Sequence, residues 1–314
     1  MSNYNKIFLG KKAAELGYVR DTLEKVYRLA NILEYLNSNP LLKEKLALKG
    51  GTAINLTIFN LPRLSVDIDL DYLVLNSREE MLENREIING SITKYMFTQG
   101  YTKSPKTKSP HSLDSWVFEY VNCGGNKDIL KLEINYSLRA HILPTEERSI
   151  LTEHFTSDYK VKSLSAIEIF ASKLNALLNR AAARDLYDIS NMIKFGLFDE
   201  SEQALLRKCV IFYAAISTNK INKNFDTEAV DSIDKRKIKT DLMPVIRRKD
   251  EFDLEATKKM VKSYIKELME LTKKEKEFLL RFENKEYLPE LVFDDLETIE
   301  RIKNHPMALW KVRE

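Results

Sequence analysis

Cysteine and histidine are scarce in this chain of 314 residues, with two of the first and four of the second. Cys123 and Cys209 lie far apart in sequence, so no disulfide framework is expected and a reducing compartment suits them. His111, His141, His154 and His305 are equally scattered and lack the close ligand spacing of a zinc site. No apolar run reaches the length that spans a bilayer, and the first residues carry no apolar signal core, so a cytoplasmic protein without membrane contact is expected. No GxxxxGK[ST] string is present, which argues against a P-loop phosphotransferase; the lack of HRD and DFG motifs argues against a protein kinase. The net charge is only +3, so global charge makes no case for nucleic-acid binding and only local clusters can.

What is there is a globular composition, 44% apolar and 31% charged, long enough for one large or two modest domains. The chain is organised around Lys49 to Tyr72, KGGTAINLTIFNLPRLSVDIDLDY. Two glycines lead a nine-residue helix-compatible stretch, a Pro-containing turn follows, and strict alternation runs from Val66 to Asp71. On a strand this alternation puts Asp67, Asp69 and Asp71 on one face and Val66, Ile68 and Leu70 on the other. Carboxylates about 7 Å apart along one face repel unless a cation sits between them. Mg²⁺ suits such a site, since it takes oxygen ligands from one or two carboxylates and from substrate phosphates. Gly50 and Gly51, without Cβ atoms, let backbone N–H groups approach a phosphate, and the helix expected to start near Thr52 adds a favourable dipole. Metal at one end and phosphate at the other suggest a nucleoside triphosphate.

The flanking segments read more plainly. Apolar residues recur at helical spacing from Asp21, an N-cap candidate, to the stop at Asn39-Pro40. Ser77 to Glu80 matches a capping box opening a helix that runs to Gly100. Residues 101 to 136 read as strands, with Trp116 to Val121 and Asp128 to Ser137 joined by a turn at Cys123 to Asn126. The lysine-bearing turn KSPKTKSP, Lys103 to Pro110, is either a solvated hairpin tip or a phosphate contact. Ser165 to Glu168 is a second capping box, opening the helix of Lys173 with Leu174, Leu177 and Leu178 as its apolar stripe. Asp185 and Asp188 share one face of the next helix; taken alone, Arg184 and Asp188 would be an i, i+4 surface pair. Beyond residue 200 the chain reads as helices, with a cluster of cations at Lys235, Arg236, Lys237, Lys239, Arg247, Arg248 and Lys249. That cluster is a solvated face or a docking surface for an RNA backbone. The tail with Trp310 reads as helical packing.

The diglycine followed by Ser65-Val66-Asp67-Ile68-Asp69 resembles the first motif of the DNA polymerase β nucleotidyltransferase superfamily. LKGGTAINL with RLSVDIDLDY and KLNALLNRAAARDLYDI is similar, in that order, to the AbiEii/AbiGii toxin family, which has the mycobacterial MenT toxins among its relatives. The resemblance covers roughly residues 45 to 195. It implies an α/β (α+β) nucleotidyltransferase: a mixed twisted sheet with flanking helices over residues 1–160, then a mostly helical domain over 161–314 that brings Lys173 and Asp188 to a cleft between the two. It implies Asp67, Asp69, Glu133, Lys173 and Asp188 as catalytic residues, with Asp67 and Asp69 holding one or two Mg²⁺ ions. Lys49, Gly50, Gly51, Thr52, Arg63, Ser65, Lys173, Arg184 and Asp185 would bind the nucleotide, GTP or CTP. Asp188 either fixes Lys173 by ion pairing or contacts the nucleotide, and Asp71 stands outside the metal pair. The expected biology is a monomeric toxin of a toxin–antitoxin, abortive-infection system, held in check by a separately encoded AbiEi-like antitoxin. It would transfer NMP to an RNA acceptor, the tRNA 3′ end. Nucleotidylation of a protein hydroxyl and a non-catalytic nucleotide or RNA-binding regulator are the alternatives.

Overall fold

The computed structural model describes residues 4–151, 159–217 and 223–313, and His154 lies outside them. The chain forms two compact units: Met1–Arg139, Thr145–Leu164 and Pro244–Asp250 make the first, and Ala140–Pro144, Ser165–Met243 and Glu251–Glu314 the second.

The first unit carries five helices among its described residues: α1 (Lys6–Leu16), α2 (Arg20–Ser38), α3 (Pro40–Lys43), α4 (Gly50–Ala53) and α5 (Arg78–Thr98). Its strands are β1 (Leu46–Lys49), β2 (Asp67–Tyr72), β3 (Thr102–Lys103), β4 (Leu113–Val121), β5 (Lys127–Asn135), β6 (Glu146–Ser149) and β7 (Lys160–Ser163). They form one mixed sheet in the order β3-β4-β5-β2-β1-β7-β6, with β2 parallel to β5 and β1 parallel to β7. The sheet and its flanking helices bear out the expected nucleotidyltransferase architecture.

Local sequence accounts for the elements. Leu23, Val26, Leu29, Ala30, Leu33 and Leu36 bury the inner stripe of α2, which stops where Asn39 caps α3 and Pro40 takes its first position. The cap of α2 is Val19 rather than Asp21; Asp21 sits in the first turn, bonded by Arg20 Nε at 2.7 Å. There its charge still meets the positive helix end favourably. The capping box on α5 forms both ways, Ser77 Oγ accepting from the Glu80 N–H at 3.1 Å and Glu80 Oε2 from the Ser77 N–H at 3.0 Å. The β4–β5 hairpin turns on Asn122, whose side chain accepts from the Gly124 and Asn126 N–H groups.

Alternation divides the sheet into two faces. Ile68, Leu70 and Tyr72 of β2, Leu130, Leu132 and Ile134 of β5, and Trp116 and Phe118 of β4 are buried together under α2 and α5. Those two helices are tied by the stacked rings of Tyr35 and Tyr95, 3.8 Å apart, and Arg85 of α5 reaches Asp114 of β4 at 2.7 and 3.0 Å. The opposite face carries Asp67, Asp69, Asp71 and Glu133.

The second unit is helical among its described residues: α6 (Ala166–Arg180), α7 (Ala183–Lys194), α8 (Glu200–Ile216), α9 (Glu228–Asp231), α10 (Lys235–Lys237), α11 (Leu254–Leu268), α12 (Lys273–Glu283), α13 (Leu296–Ile302) and α14 (Pro306–Arg313). The expected capping box on α6 is only half made. Ser165 accepts from the Glu168 N–H, but the Glu168 side chain turns inward and accepts from the Ile142 and Leu143 N–H groups and the Tyr213 hydroxyl. Burial holds that carboxyl above the usual range. The basic cluster is divided between the units. Lys235 to Lys239 belong to the helical unit. Arg247, Arg248 and Lys249 belong to the sheet unit, where the Arg248 N–H donates to the Gly17 carbonyl at 2.8 Å. Trp310 on α14 is partly exposed rather than packed. Among the described residues no helix is long and apolar enough to cross a membrane.

His305 is buried edge-on against Phe212, 5.2 Å between ring centres, with Nδ1 accepting from the Met307 N–H at 3.2 Å. Burial, with His141 nearby, lowers its pKa to about 3. The folded chain therefore refuses a proton that the unfolded chain accepts below about pH 6.5, so stability falls as pH drops through that window. His305→Leu should shrink the loss of stability between pH 7 and pH 5 by ~2 kcal/mol, measured by urea unfolding at the two pH values.

Candidate active site

The site face is built where β1 runs antiparallel to β2 and ends. Lys49 lies opposite Asp69, and Gly50 then turns away with φ of +69°, a left-handed conformation that glycine adopts without strain. A side chain at position 50 would run into the Asp69 carboxylate, and one at Gly51 would come within 2.7 Å of Arg63 Nη2 and 2.9 Å of Ser65 Oγ. The backbone of both glycines is thus laid directly against the groups that follow on the Pro62 turn and β2. Helix begins at Gly50 rather than near Thr52: α4 passes into a π-helical turn over Ile54–Ile58, so the expected nine-residue helical run includes the glycines. The first N–H groups of a helix have no intrahelical acceptor, and here they belong to the glycine turn beside the carboxylates.

Four further hydrogen bonds lie at this turn. Thr52 Oγ1 bonds Ser65 Oγ at 3.0 Å and the Asp67 carbonyl. Arg63 is almost fully buried, with Nη1 donating to the Leu64 carbonyl at 2.9 Å. Asn55 Nδ2 donates to the Gly51 carbonyl at 2.7 Å. Arg63 and Ser65 therefore hold the segment that leads into β2 against this turn.

Asp67 and Asp69 are half-buried on one face of β2, and in the parallel pairing with β5 Glu133 lies directly beside Asp69. Glu133 is itself half-buried and paired to Lys131 at 2.9 Å. Asp71, third in the row, is different: it is buried, and Lys49 Nζ bonds it at 2.5 Å. Burial pushes the Asp71 carboxyl up, against the opposing pull of Lys49. The sequence left Asp71 without a partner; the signal was the antiparallel neighbour, since a strand ending KGG beside DIDLD brings the lysine to the aspartate row.

Among the described residues no group of three or more His, Cys, Asp or Glu is placed to hold a metal ion. Asp67 and Asp69 nonetheless fit a hard cation that draws only two protein oxygens and completes its shell from phosphate and water, with the glycine turn against Asp69 leaving backbone rather than side chain beside it.

In the helical unit, α6 and α7 bury a separate charged cluster. Lys173 Nζ lies 2.9 Å from Asp185 Oδ1 and 3.1 Å from Asp188 Oδ2, all three side chains being at most 9% exposed. Asp188 thus pairs with Lys173 and is no surface partner for Arg184. Arg180, not Arg184, completes the cluster, with Nε 2.9 Å from Asp185 Oδ2. Burial raises the Asp185 carboxyl, but Lys173 and Arg180 outweigh it and the net direction is downward.

A mixed sheet whose diglycine turn abuts a DxD strand, joined to a helical unit, is the fold of a nucleotidyltransferase. It resembles that of MenT4, a nucleotidyltransferase toxin from Mycobacterium tuberculosis H37Rv, with a TM-score of 0.63 over 96% of this chain and 98% of that one, at 17% identity. The profile described as nucleotidyl transferase AbiEii toxin, type IV TA system, matches residues 31–284, and the chain belongs to this family of nucleotidyltransferase toxins. No curated protein matches it.

Two outcomes test these packing arguments. Gly50→Ala should cost about 1–3 kcal/mol in urea unfolding, since it combines a left-handed backbone with a clash at Asp69. Lys173→Met should cost about 3–5 kcal/mol by removing the buried cation that Asp185 and Asp188 share, whereas Arg184→Ala should stay within about 0.5 kcal/mol.

Proposed function

We propose that the protein is the toxin of a type IV toxin–antitoxin pair and transfers a nucleoside monophosphate from GTP or CTP to the 3′ end of a tRNA in a Mg²⁺-dependent reaction. The observation that carries this reading is the shared face of Asp67 and Asp69, with the Asp69 carboxylate packed against the Gly50 turn.

In this reaction the acceptor hydroxyl forms a bond to the α-phosphorus, the bond to the β-bridging oxygen breaks in line, and pyrophosphate departs. Asp67 and Asp69 would hold Mg²⁺, which when bound stabilises charge on the attacking and leaving oxygens. The backbone N–H groups at Gly50, Gly51 and Thr52 cradle the β and γ phosphates. Glu133, beside Asp69, takes the proton of the attacking hydroxyl. Lys49, anchored by Asp71, offers a cation on the same face. Lys173 and Asp188 of the helical unit serve the same reaction, as the family resemblance implies, with Asp185, itself bonded by Arg180, holding Lys173 in place. Cytoplasmic action as a monomer, restraint by an AbiEi-like antitoxin and a role in phage defence follow from the same reading.

Asp67→Asn and Asp69→Asn should each lower transfer of α-labelled nucleotide to tRNA about a thousandfold or more, and EDTA should do the same to the unaltered chain. Full activity in both variants would sink the assignment. Label appearing on a protein band instead of RNA would redirect the reading to protein nucleotidylation.

A further inference from the structure

The row that holds Asp69 and Glu133 does not end at β5. Ser115 of β4 lies directly opposite Glu133, and Lys108 is bridged in turn to Ser115, so Lys49, Asp69, Glu133, Ser115 and Lys108 stand side by side across the sheet. Residues paired directly across neighbouring strands send their side chains to one face. Lys108 therefore belongs to the carboxylate face. Lys103, opposite Phe118, belongs to the face that α2 and α5 cover.

The turn that carries Lys108 is fixed through its backbone. The Lys108 N–H donates to the Ser115 carbonyl at 2.9 Å, and the Lys108 carbonyl accepts from the Ser115 N–H at 2.8 Å. One residue earlier, Thr107 Oγ1 accepts from the Val117 N–H at 3.0 Å and donates to the Val117 carbonyl at 3.3 Å. Lys108 itself is exposed and takes part in no ion pair among the described residues, whereas Glu133 is met by Lys131 at 2.9 Å. A compact cation on a flexible stem, with its root held and its charge unspent, is suited to a phosphate.

The direction of the reaction gives that cation a use. In-line transfer puts the attacking and leaving oxygens on opposite sides of the α-phosphorus. With the leaving phosphates at the Gly50 turn, at the β1 end of the row, the attacking hydroxyl reaches the carboxylates from the β5 side, where Glu133 stands. The strand that carries this hydroxyl then lies over β4. Lys108 is rooted two strand spacings beyond Glu133, about 10 Å. Two or three nucleotide steps of roughly 3.4 Å cover that distance. Ser115, half-buried between the two, adds a hydroxyl donor along the way.

We propose that Lys108, with the Ser115 hydroxyl beside it, holds a backbone phosphate of the RNA acceptor close to its 3′ end and so sets the side from which the acceptor enters. This rests on the reading of Asp67 and Asp69 as the site of nucleotidyl transfer to RNA and adds to it the place of the acceptor strand.

The test is transfer of α-labelled nucleotide to tRNA by the full chain, with tRNA and triphosphate varied separately. Lys108→Ala should raise KM for tRNA roughly tenfold, leaving kcat and KM for the triphosphate unchanged, and Lys108→Arg should restore it. Lys103→Ala, on the other face, should leave all three constants as they are. Binding of fluorescein-labelled tRNA without metal or triphosphate should lose about 0.7 from the slope of log Kd on log salt in Lys108→Ala. An unchanged KM and slope in that variant, or an equal rise of KM in Lys103→Ala, overturns the proposal while the reading of the carboxylates stands. A fall in kcat without a rise in KM overturns it too. Should the unaltered chain label no RNA, the reading of the carboxylates falls, and an unchanged salt slope then removes the role of Lys108 as well.

Discussion

The candidate site depends on one close approach, the backbone of Gly50 against the carboxylate of Asp69. Because β1 pairs with β2 antiparallel and stops at Lys49, the next residue must turn over the aspartate row with no side chain in the way. That requirement fixes the first N–H groups of the helical run beside the carboxylates and sends Lys49 back to Asp71. Thr52, Ser65, Arg63 and Asn55 then close around the turn, and hydrogen bonds within the protein hold its shape.

Charge is buried at several places among the described residues and is met there by the opposite charge. Lys49 with Asp71, Arg85 with Asp114, Arg28 with Glu24, and Lys173 with Asp185 and Asp188 repeat the same solution. Such pairs contribute little net stability, because desolvation offsets the attraction, but each fixes two side chains in a single arrangement. The fold thereby gains fixed positions on both sheet faces and between α6 and α7.

Elements governed by nearest neighbours were readable from the sequence. The period of two in SVDIDLD, the helical spacing of α2 and the Ser77 capping box each depend on a few adjacent side chains, and each formed as expected. The family of the chain was legible too, because three separated motifs stood in order. Elements decided by distant partners were not. Glu168 has the spacing of a capping residue yet is drawn inward by Tyr213 and the 142–143 amides, groups 25 to 45 positions away. Arg184 has the spacing to pair with Asp188 and loses it to Lys173, which approaches from the preceding helix. Sequence distance likewise hid that Arg247 to Lys249 pack with the sheet unit while Lys235 to Lys239 do not.

The sheet unit is not finished by its own amino-terminal half. Its last piece, Pro244–Asp250, supplies the Val245 carbonyl to the Leu64 N–H at 2.7 Å, just ahead of the aspartate strand, and takes the Gly17 carbonyl through Arg248. During synthesis, where folding proceeds from the amino end, this support for the Arg63 to Ser65 turn is still inside the ribosome long after β2 has emerged. A prematurely terminated product would therefore carry Asp67, Asp69 and Glu133 and still lack the seam beside the turn that leads into them, so a fragment released before residue 244 keeps the acidic row without that support.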